Sequence, residues 1–292
     1  MPELPEVEVT RRKIAPHLVG RRIVEVLTTK PSYFFVTKPA ALAKALAGKR
    51  VEALTRHGKY LLAVLDDEQR LLLHLGMTGQ LFTAGVTSPR LLSSTKGGAL
   101  TPEAQAAGFR PDKHTHLEIR FSDEGPTLYF RDTRKFGKVE LLAKAASSKR
   151  LEKLGIDALS ATGADLYRAA KKRRIAIKTV LLDQGVLAGV GNIYADEGLF
   201  VTGIKPTKRA DKVTAAQCDA LVAALQKVML RSIETGGSSI SDYVQPDGQD
   251  GGYQNERRVY ARKGEPCSVC RTTIKRTVLA TRSTFYCPSC QK

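Results

Sequence analysis

Four of the five cysteines in this 292-residue chain fall in its last 26 residues, as Cys267-x2-Cys270 and Cys287-x2-Cys290 with sixteen residues between the pairs. Each CxxC knuckle aims two thiolates at one point, and two knuckles close a tetrahedral site of the kind that suits structural zinc. A redox CxxC works singly rather than as a spaced pair at a chain end. The pattern therefore predicts one Zn2+ held by Cys267, Cys270, Cys287 and Cys290. Protein fills all four positions, so none stays open for catalysis. The fifth cysteine, Cys218, lies in a helical pattern and reads as a small core residue.

Charge carries the second chemistry. Forty-seven Lys and Arg against 29 Asp and Glu leave +18, with a pI near 9.8. This balance suits a polyanionic partner, because each phosphate neutralised releases condensed counterions; a merely basic protein, or one that binds acidic membrane surfaces, would show it too. Residues 168–178 hold six basic side chains (Arg168, Lys171, Lys172, Arg173, Arg174, Lys178) and no acid, and residues 256–292 hold nine basic and two acidic ones. Between them, DQGVLAGVGN at 183–192 has three glycines that permit tight turns and let backbone amides approach a phosphate, with Asn192 at a predicted helix N-terminus. Many helix–turn–helix connections share that composition and bind nothing.

The elements that must position these residues follow from periodicity. Hydrophobic residues make up 42% and charged residues 26%, which excludes wholesale disorder. No apolar run approaches the ~20 residues of a membrane helix. The opening MPELPEVEV has no basic leader, so a cytoplasmic chain is expected. Val7, Ile14 and Leu18 recur at helical spacing behind an acidic run placed where a helix dipole is positive. Strands are predicted at 21–28, 50–57, 59–66, 70–76, 116–122, 127–132 and 137–143, spaced for two packed antiparallel sheets, with a short helix at 39–47 stopped by Gly48. The stretch 83–113, rich in Gly, Ser, Thr, Pro and Ala, breaks the pattern; it reads as a mobile surface excursion with a short helix near PEAQAA. Helices are predicted around 163–174, 175–183, 192–201 and 214–234, the last opened by the capping pair Thr214 and Gln217 and stopped at Gly236-Gly237. The expected class is α+β multidomain. An N-terminal two-layer β-sandwich domain (1–145) precedes a helical domain (146–235), a glycine-rich loop or linker (236–258) and a zinc-finger β-hairpin (259–292).

The opening PELPEVE resembles the N-terminus of formamidopyrimidine-DNA glycosylases, bacterial Fpg/Nei-family enzymes that remove oxidised purines such as 8-oxoguanine. RHGKYLL (56–62), HLGMTG (74–79), DTRKFG (132–137), IKTVLLDQ (177–184), GVGNIYADE (189–197) and KGEPCSVC…RSTFYCPSCQ (263–291) follow in the family's order, so the resemblance spans almost the whole chain. It implies a base-excision-repair glycosylase and AP lyase with a helix–two-turns–helix DNA-binding domain, acting on damaged double-stranded DNA as a monomer and touching no membrane. Its nucleophile would be Pro2, exposed once Met1 is removed. An α-amino group titrates at roughly 7.7–8.0, so a neutral fraction exists near pH 7. Glu3 would protonate the sugar ring oxygen, with neighbouring phosphates raising its pKa. Glu6 either orients the amine or serves as a helix-start carboxylate. Lys59 carries over as the lysine beside the lesion's phosphate that assists β-elimination. Arg282, on the hairpin between the knuckles, carries over as the arginine of δ-elimination, where a permanently charged guanidinium suits phosphate clamping. Met77, Arg134 and Phe136 match the three residues that fill the vacancy left by an extruded base, and His114, Arg173 and Asn192 match further DNA contacts.

The chain departs from the pattern in two places. The excursion at 83–113 exceeds the usual length, and the lesion-recognition loop, within 236–250, has Ser241 at a position often basic in relatives. A sister class acting on oxidised pyrimidines shares the fold and mechanism, and a non-catalytic DNA-binding module could keep the scaffold. PELPEVE and the Met/Arg/Phe set favour the purine branch. Pro2, Glu3 and Lys59 speak against a mere binding module, which needs no activated terminal amine.

Overall fold

A computed structural model describes residues 2–88, 108–240 and 243–292. The acidic opening caps a helix, as its charge predicts. Helix α1 (Leu4–Ile14) has Glu3 at its N-cap in extended backbone and proline in its first turn, where the missing N–H costs nothing. Glu3 and Glu6 cap one another, and the Glu3 N–H donates to Glu6 Oε2 at 2.9 Å. A 3-10 turn at Ala15–His17 extends the helix. Val7, Ile14 and Leu18 are all buried, as their spacing requires.

Two four-stranded antiparallel sheets follow. The strands are β1 (Ile23–Thr28), β2 (Val51–His57), β3 (Tyr60–Leu65), β4 (Arg70–His74), β5 (Gly79–Thr83), β6 (Thr115–Phe121), β7 (Leu128–Asp132) and β8 (Lys138–Leu142). One sheet runs β1-β6-β7-β5 and the other β2-β3-β4-β8. Helix α2 (Pro39–Leu46) lies where the glycine stop predicted it. Leu61, Leu73, Val139, Leu117, Phe130 and Phe34 bury a common core. A fully buried side chain of this kind contributes about 1.5–3 kcal/mol. Glu8 joins α1 to β2 by accepting hydrogen bonds from Arg11, Arg12 and Arg56 at 2.8–3.1 Å.

Strand β5 has no counterpart among the predicted strands. Its residues are buried on both faces except at the end, so the sequence shows no alternation there. The described ends of the excursion are pinned by a cluster of Phe82, Val86, Phe109 and Tyr129. The predicted helix near PEAQAA, Ser241 and Met1 lie outside the described residues.

The chain forms two compact units. The first takes the residues through Ser148 together with Thr235–Gly252, and the second takes Lys149–Glu234 with Tyr253–Lys292. The stretch 236–258 thus divides at Gly252. Its first part packs with α1, where the Ser238 N–H donates to Glu6 Oε1 at 2.9 Å and buried Tyr243 directs its hydroxyl to the Glu6 carbonyl.

The second unit holds helices α3 (Gly163–Lys171), α4 (Ile177–Leu182), α5 (Asn192–Val201) and α6 (Ala215–Glu234). Thr214 and Gln217 exchange capping hydrogen bonds at 3.2 Å ahead of α6. Gly163 is needed where α3 crosses α6, because a Cβ there would stand 1.9 Å from the Asp219 carboxylate. Cys218 is fully buried, and burial pushes its thiol up to about 11, as befits an inert core residue. Two-residue strands β9 (Ile156–Asp157) and β10 (Leu187–Ala188) pair in parallel, and β11 (Lys275–Leu279) with β12 (Arg282–Tyr286) forms the C-terminal hairpin. Among the described residues, no helix is long and apolar enough to cross a membrane.

Candidate functional site

In the first unit, Pro2 and Glu3 are buried at the start of α1. Glu6 fixes this terminus from both sides: one carboxylate oxygen takes the Glu3 N–H and the other takes the Ser238 N–H. Glu6 is thus a helix-start carboxylate and a tether to the segment after α6. Lys59 lies in the tight turn between β2 and β3 and is only 8% exposed, whereas a lysine at a strand start is ordinarily solvated. Arg56 secures that turn by donating to the Gly58 carbonyl at 3.0 Å while its other side holds Glu8. The carboxylate of Glu8 feels burial that would raise its pKa, but the three guanidinium partners outweigh it and hold the group at about 2.

Two further turns belong together. Met77 is half-buried in the turn between β4 and β5, and Arg134 and Phe136 are exposed in the turn between β7 and β8. Their organiser is Asp132, which is fully buried. It accepts from the Gly137 N–H at 2.7 Å, the Arg134 N–H at 3.2 Å and the Thr78 hydroxyl. One carboxylate therefore shapes the second turn and ties it to the residue after Met77. Gly76 makes the approach possible: its φ is +62°, and a Cβ there would meet Gly137 N at 2.5 Å. The Arg134 guanidinium stacks 4.7 Å from the Phe136 ring, so a cation and an apolar ring stand side by side. His114 is half-buried, and burial, the largest influence on it, holds its imidazole below the ordinary histidine range.

The second unit places the remaining residues. Arg173 pairs with Asp183 at 2.6 Å, both partly exposed. The carboxylate of Asp183 also accepts the Gly185 N–H and so shapes the glycine turn. Asn192 stands at the start of α5 and gives its amide nitrogen to the Ser283 carbonyl at 2.9 Å. Arg282 is exposed at the first position of β12. The basic cluster at 168–178 needs one correction. Lys178 is 0% exposed and paired with Asp196 at 2.7 Å, so it belongs to the interior and not to a phosphate-facing surface. A buried lysine demands a buried carboxylate, and GVGNIYADE supplies one.

The four thiols converge, with all Sγ atoms within 4.8 Å of one another. Cys267 and Cys290 are 3.9 Å apart and Cys270 and Cys287 3.4 Å, against the ~3.8 Å edge of a tetrahedron with Zn–S near 2.3 Å. The Val269 and Cys290 N–H groups point at the Cys267 and Cys287 sulfurs at 3.4 and 3.5 Å. The geometry fits one structural zinc. Glu197, 1% exposed, grips the approach to this module by accepting the Arg258, Val259 and Tyr260 N–H groups at 2.8–2.9 Å.

Asp132, Glu197 and Asp196, the partner of Lys178, carry this architecture with no sequence signal of their own. They lie within DTRKFG and GVGNIYADE, and those motifs do not mark them as supports.

Three domain descriptions match the chain: the formamidopyrimidine-DNA glycosylase N-terminal domain over 1–139, its H2TH domain over 154–244, and the zinc finger found in FPG and IleRS over 264–292. A formamidopyrimidine-DNA glycosylase of Hahella chejuensis is 39% identical over the full length of both chains. The crystal structure of the MutM (Fpg) protein from Thermus thermophilus superposes with a TM-score of 0.82 at 35% identity, covering 99% of this chain and 98% of that one. A Lactococcus lactis FPG mutant, solved in complex with a Fapy-dG containing DNA, superposes at 0.83 and 32% identity over the whole of both chains. With matches along its full length, the chain belongs to the formamidopyrimidine-DNA glycosylase family.

Proposed function

We propose that this protein is a bifunctional DNA glycosylase and AP lyase of base-excision repair, acting as a monomer on oxidised purines in duplex DNA. The observation that carries the reading is the N-terminus itself. Pro2 and Glu3 are adjacent and buried at a helix start whose backbone Glu6 holds rigid, and buried Lys59 belongs to the same compact unit.

Removal of Met1 frees the Pro2 nitrogen as a secondary amine. Its lone pair attacks the sugar C1′, and the C1′–N bond to the base breaks with the base as leaving group. The attached nitrogen gives up its N–H proton to the departing base, Glu3 delivers a proton to the ring oxygen, the ring opens, and the nitrogen and C1′ form an iminium. That electron sink acidifies the C2′ hydrogen. Loss of this proton expels the 3′-phosphate, and a second elimination expels the 5′-phosphate, leaving a one-nucleotide gap. Lys59 and Arg282 hold the two departing phosphates, Arg282 through a permanently charged guanidinium. Met77 and Phe136 fill the stack vacated by the extruded nucleotide, and Arg134 pairs with the orphaned base. His114, Arg173 and Asn192 bind phosphates, with Arg173 exchanging or sharing its Asp183 partner. Zinc supplies rigidity to the hairpin that carries Arg282. Such a protein works where chromosomal DNA is, in the cytoplasm.

Borohydride reduction tests the reading. Mature protein incubated with an 8-oxoguanine:C duplex should give a covalent complex. Absence of trapping contradicts the enzyme reading, and trapping only on an oxidised-pyrimidine duplex selects the sister class.

A further inference from the structure

The hairpin that bears Arg282 is held by buried polar contacts that converge on one side chain, Lys178. The ammonium of Lys178 faces three acceptors: Asp196 Oδ1 at 2.7 Å, the Ser283 carbonyl at 3.1 Å and Thr284 Oγ1 at 2.9 Å. Asp196 spends its other oxygen on the Phe285 N–H at 2.9 Å. Lys178, Asp196 and Thr284 are all 0% exposed, so none of these groups has water as an alternative. An ammonium only donates. The Thr284 hydroxyl must therefore accept from Lys178 and turn its single proton elsewhere. Its proton goes to the Arg282 carbonyl, 3.3 Å away.

The neighbouring turn explains why such a clamp is needed. Leu279 pairs with Arg282 across the hairpin, so Ala280 and Thr281 form a two-residue loop. Both have positive φ, +46° and +64°, a conformation that suits Asn-Gly and disfavours a β-branched residue. The strain sits directly before Arg282, and relaxing it would shift that residue's backbone.

On these contacts we infer that Thr284 is a positioning residue for Arg282. It transmits the fixed position of the Lys178–Asp196 pair to the Arg282 carbonyl and so sets where the guanidinium stands. The inference rests on the δ-elimination role of Arg282 in the proposed function. Thr284 touches no DNA in this scheme. It acts through Arg282 alone.

The test reads the partition between β- and δ-elimination products on an abasic duplex. Thr284→Val keeps the volume and removes the hydroxyl. It should retain zinc and borohydride trapping, while the ratio of δ- to β-product falls about tenfold, the effect of one lost buried hydrogen bond. Thr284→Ser should restore the ratio, and Thr284→Val should add nothing in an Arg282→Ala background. An unchanged ratio in Thr284→Val, a Thr284→Ser variant as deficient as Thr284→Val, or additive effects with Arg282→Ala would each overturn the assignment. If Thr284→Val loses zinc, Thr284→Ala carries the same readout, and zinc loss in both would make Thr284 structural and refute it. Failure of wild-type protein to trap at all would instead refute the underlying enzyme reading.

Discussion

Glu8 shows how one side chain can hold a helix in place. Its carboxylate, 9% exposed, gathers Arg11, Arg12 and Arg56 and thereby fixes α1 to the strand that leads into Lys59. Held at about 2 against an ordinary 4.5, it stabilises the fold above the unfolded value, and that contribution is lost as pH falls from about 4.5 toward 2. Glu8→Gln should therefore cost roughly 2–3 kcal/mol at neutral pH, and the gap to wild type should close across that acid window in denaturant titrations. A gap constant with pH would show that the charge is not what matters. At this scale the sequence was least legible. It showed Lys178 as one of six basic residues in a cluster, because charge can be counted in a sequence and burial cannot. Asp132 and Thr78 lie in separate motifs, and only folding shows that one carboxylate joins them.

Among the elements, those with a period or a cap in the sequence were legible and those without were not. Helix α6 and strands β2, β3 and β6 announced themselves by period and capping residues. Strand β5 is buried on both faces, and β9 and β10 are two residues each, too short for any period to register. The turns between strands are where the residues proposed to fill the vacated stack stand. Met77 adjoins Thr78, which Asp132 ties to the turn bearing Arg134 and Phe136. Met77→Ala should therefore weaken processing of an 8-oxoguanine duplex while sparing affinity for undamaged duplex, compared by single-turnover kinetics and gel shift. Equal losses in both assays would reduce Met77 to a packing residue. The zinc hairpin is a second such element. Cys267→Ser, or chelation of zinc, should lower DNA affinity more than it disturbs the N-terminal sheets, followed by amide exchange at Tyr60–Leu65. Loss of protection there in step with binding would count against a module that works by itself.

For the molecule as a whole, the reading divides labour between two compact units. One carries Pro2, Glu3, Lys59 and the turns bearing Met77, Arg134 and Phe136; the other carries Arg173, Asn192, Arg282 and the four thiols. The excess of positive charge is consequently not uniform in purpose. Some of it is structural, as in Lys178 and Arg56, and the proposed function assigns part of the remainder to phosphates. The motifs were legible because they are short and contiguous, whereas the supports beneath them come from residues far apart in sequence. The central claim is that chemistry begins at the Pro2 nitrogen. It is tested most directly by digesting the borohydride-trapped complex with an 8-oxoguanine:C duplex and locating the adduct by peptide mass spectrometry. The sugar remnant should lie on a peptide that begins at Pro2. An adduct on Lys59 or another lysine, or on a peptide that still carries Met1, would contradict it.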